Sequence, residues 1–434
     1  MAPLRIWLLQ TWEPNPLDDP TARPWRTGML AQRLLAKGHK VEWWCSNFSH
    51  TRKAFRQNQP DITEIEPGFT IRTVPALGYQ RHVSRARLRD HRFVAAQWRS
   101  RAEREEAPDI IVASYPTIEL CENAALFSRE HNVPLLIDIR DQYPDLYWEN
   151  APFGLSRIVR AFCAGARNQA SRALSGAVGI TANGPEVVDW GLAYAGRVRG
   201  PLDRSLYMSY DPPPVSDTDR ERAIKFWREY EGKAIVAYTG MIGQTIEVGP
   251  IMHAVASLPD VQFVFAGGGD GLKQAQAWAQ GFSNVHFTGW LQTPEIERLL
   301  EIATIGIVPY RDRANFEKGI TNKPVEYLAH SLPVVTSLQR GPLVNMLLQA
   351  DAGRSYRNAE PATLAKVISE MLNDSEGLGL MRKNARGVFD ENFHPGKVFG
   401  EWIDLIEQAA GAVGLRSKLD DRDGSANKEP KHHA

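Results

Sequence analysis

Long apolar runs are missing from this 434-residue chain. No stretch approaches the ~18 apolar residues that a membrane-spanning helix needs, so any membrane contact is expected to be peripheral. The opening MAPLRIWLLQTWEP has an apolar run too short for a signal peptide, interrupted by Trp, Glu and Pro. Net charge is also absent, since 51 Lys and Arg balance 51 Asp and Glu. The global balance therefore points to neither nucleic acid nor an anionic surface. Cysteine is scarce: Cys45, Cys121 and Cys163 are odd in number and lack metal-type pair spacing. They read as reduced thiols of a cytoplasmic protein, with Cys45 and Cys121 in or beside apolar runs that suit burial.

Several signatures are missing as well. No G-x-G-x-x-G follows the first strand, against a nicotinamide dehydrogenase, and no Walker A loop appears, against an ATPase. There is no G-x-S-x-G elbow. No D-x-D follows a strand and the histidines lack ligand spacing, so no metal site and no cofactor are expected.

What is present is two successive series of short apolar runs alternating with helical patterns. RIWLLQ (5–10), VEWWCS (41–46), DIIVAS (109–114), PLLIDI (134–139) and GAVGIT (176–181) read as buried parallel strands. Residues 200–220, with four prolines, read as the linker. AIVAYTG (234–240), VQFVFAGGG (261–269), NVHFTG (284–289), TIGIVPY (304–310) and PVVTS (333–337) form the second series. The fold expected is α/β, two doubly wound Rossmann-like domains facing a central cleft. The boundaries are 1–205 for the first domain and 206–395 for the second. A helix over 396–412 is placed to cross back to the first domain, burying Val398, Trp402, Leu405 and Ile406, and 413–434 reads as a disordered tail.

Five segments carry candidate chemistry. GGGDG (267–271), including Gly268, and YTGMIGQ (238–244), with Gly240 and Gly243, follow strands. Such loops let backbone approach a phosphate, and each is equally compatible with a plain strand-to-helix turn. NFEKGITNKPVEYLAHSLPVV (315–335) opens a helix that Asn322 is expected to cap, with Pro324 in its first turn. Lys323 at that N-terminus is disfavoured by the helix dipole unless an anion lies nearby. Glu326, one turn in, is placed to accept two hydrogen bonds from a ribose diol; the alternative is an exposed first-turn Lys and Glu. DIRDQYPD (138–145) places Arg140 and Asp141 at a strand end, to hold a phosphate or to form a structural Arg–Asp pair. Arg81–Arg104 holds eight arginines beside an apolar stripe of Phe93, Val94 and Trp98. That stripe packs on the sheet, or the segment meets anionic membrane.

The C-terminal half resembles glycosyltransferase family 4, whose fold is GT-B, in the order YTGMIG, VFAGGGDG and NKPVEYLAHSLPVV. The N-terminal half resembles a subgroup common in bacterial surface-polysaccharide assembly, on Arg26, AKGHKVEWWCSNFSH (36–50) and DIRDQYP (138–144). The resemblance implies that Glu326 binds the donor ribose and that Lys323 faces the diphosphate. Gly240 and Gly243 would admit the diphosphate, and the backbone of Gly319 and Ile320 would reach phosphate. Arg140 and Asp141 would lie near the transferred sugar, with Arg26, His50 and Arg52 on the acceptor side. Three departures stand out. Lys318 occupies the place of the family's first glutamate, leaving Glu317 one residue off; QTIEVG after Gly243 lacks a basic residue; and the first loop lacks a glycine pair.

The function these readings imply is transfer, with retention, of a sugar from a UDP- or GDP-linked donor to a glycan or lipid-linked acceptor. The setting would be polysaccharide biosynthesis at the cytoplasmic face of the cell membrane. Catalytic candidates are Lys323, Glu317, Arg140 and Asp141. A nucleotide-sugar epimerase of the same fold and a non-catalytic glycan- or membrane-binding assembly protein are the alternatives.

Overall fold

The computed structural model describes residues 2–18, 23–56, 60–81, 84–152 and 154–425, with side chains through 412. The chain divides into two compact units, one comprising Met1–Leu206 together with Phe399 onward, the other Tyr207–Val398.

The first unit is built on an eight-stranded sheet. Its strands are β1 (Arg5–Leu9), β2 (Lys40–Ser46), β3 (Ile62–Glu66), β4 (Phe69–Val74), β5 (Ile110–Tyr115), β6 (Leu135–Ile139), β7 (Gly179–Ala182) and β8 (Arg204–Ser205). They lie in the order β8-β7-β6-β5-β1-β2-β4-β3. Every neighbour pair is parallel except β3 with β4. The five runs read from sequence as strands are β1, β2, β5, β6 and β7. β3 and β4 at the sheet's far side are not among them, nor is β8, which falls within the residues 200–220 read as linker and pairs with β7. β3 alternates between exposed and half-buried positions, as an antiparallel edge strand does, so it lacks the continuous apolar run of a buried parallel strand.

Helices α1 (Arg26–Ala36), α2 (Arg85–Ala102), α3 (Ile118–His131), α4 (Asp145–Glu149), α5 (Ser156–Phe162) and α6 (Ala164–Ser175) belong to this unit. α2 buries Val94, Ala95 and Trp98. Trp98 meets Trp7, Trp44 and Phe127 with ring centroids 5.8–6.5 Å apart. Such aromatic pairs add roughly 0.5–1.5 kcal/mol each beyond their area burial. The apolar stripe of the basic segment is thus packed inward, with Phe93 half-buried. The last helix, Pro395–Ser425, buries Val398, Trp402, Leu405 and Ile406 as its periodicity demands. Its residues beyond Phe399 join the first unit through Glu407 to His39 (3.1 Å) and Gln408 to Arg204 (2.8 Å). The segment expected as a disordered tail begins inside this helix, and residues 426–434 lie outside the described residues.

The second unit is a six-stranded parallel sheet. Its strands are β9 (Ile235–Thr239), β10 (Gln262–Ala266), β11 (Val285–Gly289), β12 (Ile305–Val308), β13 (Val334–Thr336) and β14 (Gly353–Ser355), ordered β11-β10-β9-β12-β13-β14. All five runs read as strands here are strands, and β14 is the short edge added to them. The order reverses between β9 and β12, and ligands of open α/β sheets bind beyond the carboxyl ends of strands at such a switch point. Among the described residues no helix is long and apolar enough to cross a membrane.

Candidate functional site

The loops at the switch point of the second unit are laced together. The Gly240 amide donates to the Ala266 carbonyl (2.8 Å), Ile242 to Gly268 (2.8 Å) and Gly271 to Ile242 (3.0 Å). A Cβ on Gly267 would sit 1.8 Å from the Gly240 carbonyl oxygen, so no side chain fits there. The Gly240 N–H is therefore spent inside the protein, and what Gly240 supplies is space. Its φ is +110°, and a Cβ there would lie 3.2 Å from Cε and 3.4 Å from Nζ of Lys323. Gly243 faces Asp270, whose Oδ1 lies 2.5 Å from the position a Cβ would take.

Lys323 comes from the helix Asn322–Ala329. The capping residue is Thr321 and not Asn322, which is the first helical residue. Thr321 makes no side-chain cap, because its hydroxyl is paired with that of Tyr310. Pro324 lies in the first turn, where its missing N–H costs nothing. The Lys323 ammonium lies over the faces of Tyr238 (5.5 Å) and Tyr310 (5.9 Å). Among the described residues it has no carboxylate partner. The two aromatic faces stabilise this cation at a helix start whose dipole disfavours it, and its ammonium has the charge and the open glycine beside it to receive an anion.

Glu326 follows on the same helix, half-buried, and its carbonyl accepts from His330 Nδ1 at 2.8 Å. The buried Tyr327 hydroxyl accepts from the Thr239 amide (2.9 Å), tying this helix to the end of β9. Gly319 and Ile320 are buried and extend the chain toward Thr321. Glu317 bonds Arg340 (2.8 Å), and Gly341, at φ +100°, would place a Cβ 1.9 Å from the Glu317 carbonyl oxygen. The segment 314–321 is thus held by close backbone packing. Trp290, 68% exposed, lies against Gly268, its Nε1 2.8 Å from where a Cβ would be. Trp290, Arg340 and the faces of Tyr238 and Tyr310 carry no local signal in the sequence, because each meets its partner across 13 or more residues of chain.

In the first unit the expected residues Arg26, Arg140, His50 and Arg52 all have internal partners. Arg26, 3% exposed, grips Asp138 through Nε (3.0 Å) and a terminal nitrogen (2.9 Å), donates to the Leu206 carbonyl (2.8 Å) and stacks over Trp402 (5.3 Å). Arg140 Nε lies 2.5 Å from Asp138 and its terminal nitrogen 2.9 Å from Glu13. Thr181 donates to Asp138 (2.9 Å) and Thr27 N–H to Glu13 (3.0 Å). Two arginines and two carboxylates balance in the interior. Burial alone would raise the Asp138 carboxyl, yet Arg140 and Arg26 hold it below the usual carboxylate range. Arg140 thus takes the structural ion-pair alternative, and Arg26 is buried rather than presented to an acceptor.

Asp141 next to it is exposed, and the protein packed around it pushes its carboxyl up to about 6 against the pull of Arg87 and Arg140. His50 Nδ1 bonds the Tyr79 hydroxyl (2.5 Å), and Lys53 Nζ lies 4.7 Å over the Tyr79 ring. Arg52 donates to the Asp18 carbonyl (2.7 Å). The one trio of possible metal ligands among the described residues, Glu103, Glu130 and His131, is exposed, and Arg99 pairs with both glutamates.

Residues 235–374 match the model of a family described as glycosyl transferases group 1. No curated protein matches the chain by sequence. Solved structures do resemble it. Sucrose-phosphate synthase from Thermosynechococcus elongatus shares 16% identity at TM-score 0.71, over 94% of this chain and 100% of that one. Anabaena HepE in complex with UDP-glucose shares 15% at TM-score 0.61, over 95% and 100%. WaaG, a glycosyltransferase involved in lipopolysaccharide biosynthesis, shares 15% at TM-score 0.61, over 93% and 99%. The fold is GT-B, and the protein is a glycosyltransferase. The family match lies within the second unit, from β9 to the helix Ala362–Asn373, and includes Lys323 and Glu326.

Proposed function

We propose that the protein transfers a sugar, with retention, from a uridine- or guanosine-diphosphate sugar to a glycan or lipid-linked acceptor in polysaccharide biosynthesis. The observation that carries this reading is the Lys323 ammonium seated on Gly240 at the switch point of the second sheet. Space above a glycine, a cation and a helix start together suit a diphosphate. The complex of HepE with UDP-glucose, and the lipopolysaccharide role of WaaG, support the donor and acceptor classes.

As the glycosidic bond breaks, negative charge accumulates on the leaving diphosphate. Lys323 and the N-terminal amides of Asn322–Ala329 meet that charge without reorganising, which is the form of catalysis an oriented site supplies best. Glu326 accepts hydrogen bonds from the ribose. The backbone of Gly319 and Ile320 approaches phosphate, with Glu317 steadied by Arg340 beside it. The departing phosphate takes the acceptor proton on the same face, so no separate base is required. The reading gives Asp141 the role of contacting the transferred sugar, Arg140 that of holding its loop, and His50 and Arg52 that of serving the acceptor.

The test is incubation of UDP- and GDP-sugars with and without oligosaccharide or lipid-linked acceptors. Transfer only when acceptor is present, with the anomeric configuration kept, supports the reading. An isomerised sugar formed from donor alone would assign an epimerase instead.

A further inference from the structure

One short helix of the first unit is unusual. α5 buries none of its residues. Leu155, Ile158 and Phe162 fall three and four positions apart, so they share one face. They are 45%, 54% and 86% exposed. Arg157 and Arg160 are exposed between them, and Arg160 is steadied over the Trp148 ring at 6.0 Å. A protein gains nothing by leaving a ridge of large apolar side chains in water unless something covers it.

The neighbouring surface continues the same character. α4 and α6 flank α5, and with α2 they border a groove of about 370 Å³ lined by Leu88, Tyr143, Tyr147, Pro116 and Ile118. Arg85, Leu88, Arg89 and Arg92 recur at helical spacing, so one face of α2 carries three cations beside the groove. Arg89 and Arg92 are exposed, as is Arg85 on the groove rim. Of the acidic groups nearby, Asp145 is engaged by Trp190 (3.0 Å) and Tyr194, and Asp90 by the Leu77 and Gly78 amides (2.7 and 2.8 Å). Glu119 lines the groove 3.9 Å from His91 Nδ1 and Glu149 is exposed on α4, so five arginines face two further carboxylates there.

We propose that the α5 ridge, with the Arg85–Arg92 face of α2, docks the protein on an anionic phospholipid bilayer. Leu155, Ile158 and Phe162 would enter the headgroup layer while the five arginines meet lipid phosphates. The apolar part of the basic segment is packed on the sheet, so the contact uses its cations, and the apolar anchor comes from α5. This inference stands apart from the donor site and survives or fails independently of it.

The experiment is co-sedimentation with phosphatidylcholine vesicles, with and without phosphatidylglycerol, of the full chain and two variants. The ridge side chains touch little else, so Ile158→Ser/Phe162→Ser leaves the fold intact, checked by an unchanged thermal transition. The full chain is expected to bind phosphatidylglycerol vesicles at least about tenfold more tightly than neutral ones. The serine variant is expected to lose at least about tenfold in vesicle affinity, and Arg157→Gln/Arg160→Gln to lose most of the preference for anionic lipid. Absent vesicle binding, or serine-variant binding equal to that of the unaltered chain, overturns the proposal. A dimer in light scattering that the serine variant dissolves, without vesicle binding, overturns it too and assigns the ridge to a second copy of the chain.

Discussion

The Lys323 ammonium lies directly against Gly240: a Cβ on that glycine would come within 3.4 Å of Nζ and 3.2 Å of Cε. Gly240→Ala should therefore displace the lysine as well as strain a backbone at φ +110°. The strain alone is worth about 1–3 kcal/mol. Urea denaturation should show that loss, and nucleotide diphosphate affinity should fall while affinity for the nucleoside alone is unchanged.

Asp138 sits between Arg26 and Arg140 with its side chain 2% exposed. Asp138→Ala leaves two buried guanidinium groups against Glu13 alone. Breaking such a network by removing one partner costs roughly 3–5 kcal/mol. Arg52→Ala, on the surface, should stay within about 0.5 kcal/mol of the unaltered protein. Equal urea midpoints for the two variants would contradict the assignment of Arg26 and Arg140 to the interior.

His330 gives a pH signature. Burial pulls its pKa down, but the Glu297 carboxylate, 3.1 Å from Nε2, and the Glu326 carbonyl push it up, and the net shift is upward. A raised pKa favours the fold fully below the ordinary histidine value of about 6.5, and that contribution is lost as pH rises through the folded-state value. His330→Gln should accordingly cost more stability near about pH 6 than near about pH 8, read as urea midpoints.

Asp141, with its carboxyl raised to about 6, should leave its mark on activity. Below that value it is protonated and neutral, above it ionised. If it acts on the sugar as the carboxylate, kcat/KM falls as pH drops through about 6. Asp141→Asn should lower activity and abolish that acid limb. A limb that persists in the variant would place the titrating group elsewhere.

Much of this was legible in the sequence. All ten runs read as strands are parallel strands; nine are largely buried and apolar, as such strands require, and the tenth, β11, is a half-buried edge strand. The glycine loops and Lys323 were found by their position after strands and at a helix start. What escaped were features that depend on distant partners. Nothing local to Arg26 announces Asp138, 112 positions away, and the same arginine in the same loop would suit an acceptor equally well. Asn322 is as good a capping residue as Thr321 by composition, and only the path of the chain decides between them. The exposed ridge of α5 carries the periodicity of an ordinary packed helix, so its lack of a covering element is visible only in three dimensions.

The most direct test of the central claim is calorimetric binding of UDP and GDP to the unaltered protein, Lys323→Ala and Glu326→Ala. The account predicts measurable binding of one nucleotide, weakened at least about tenfold by either change, with turnover of Lys323→Ala down roughly 10²–10³-fold. Unchanged nucleotide affinity in both variants would contradict it.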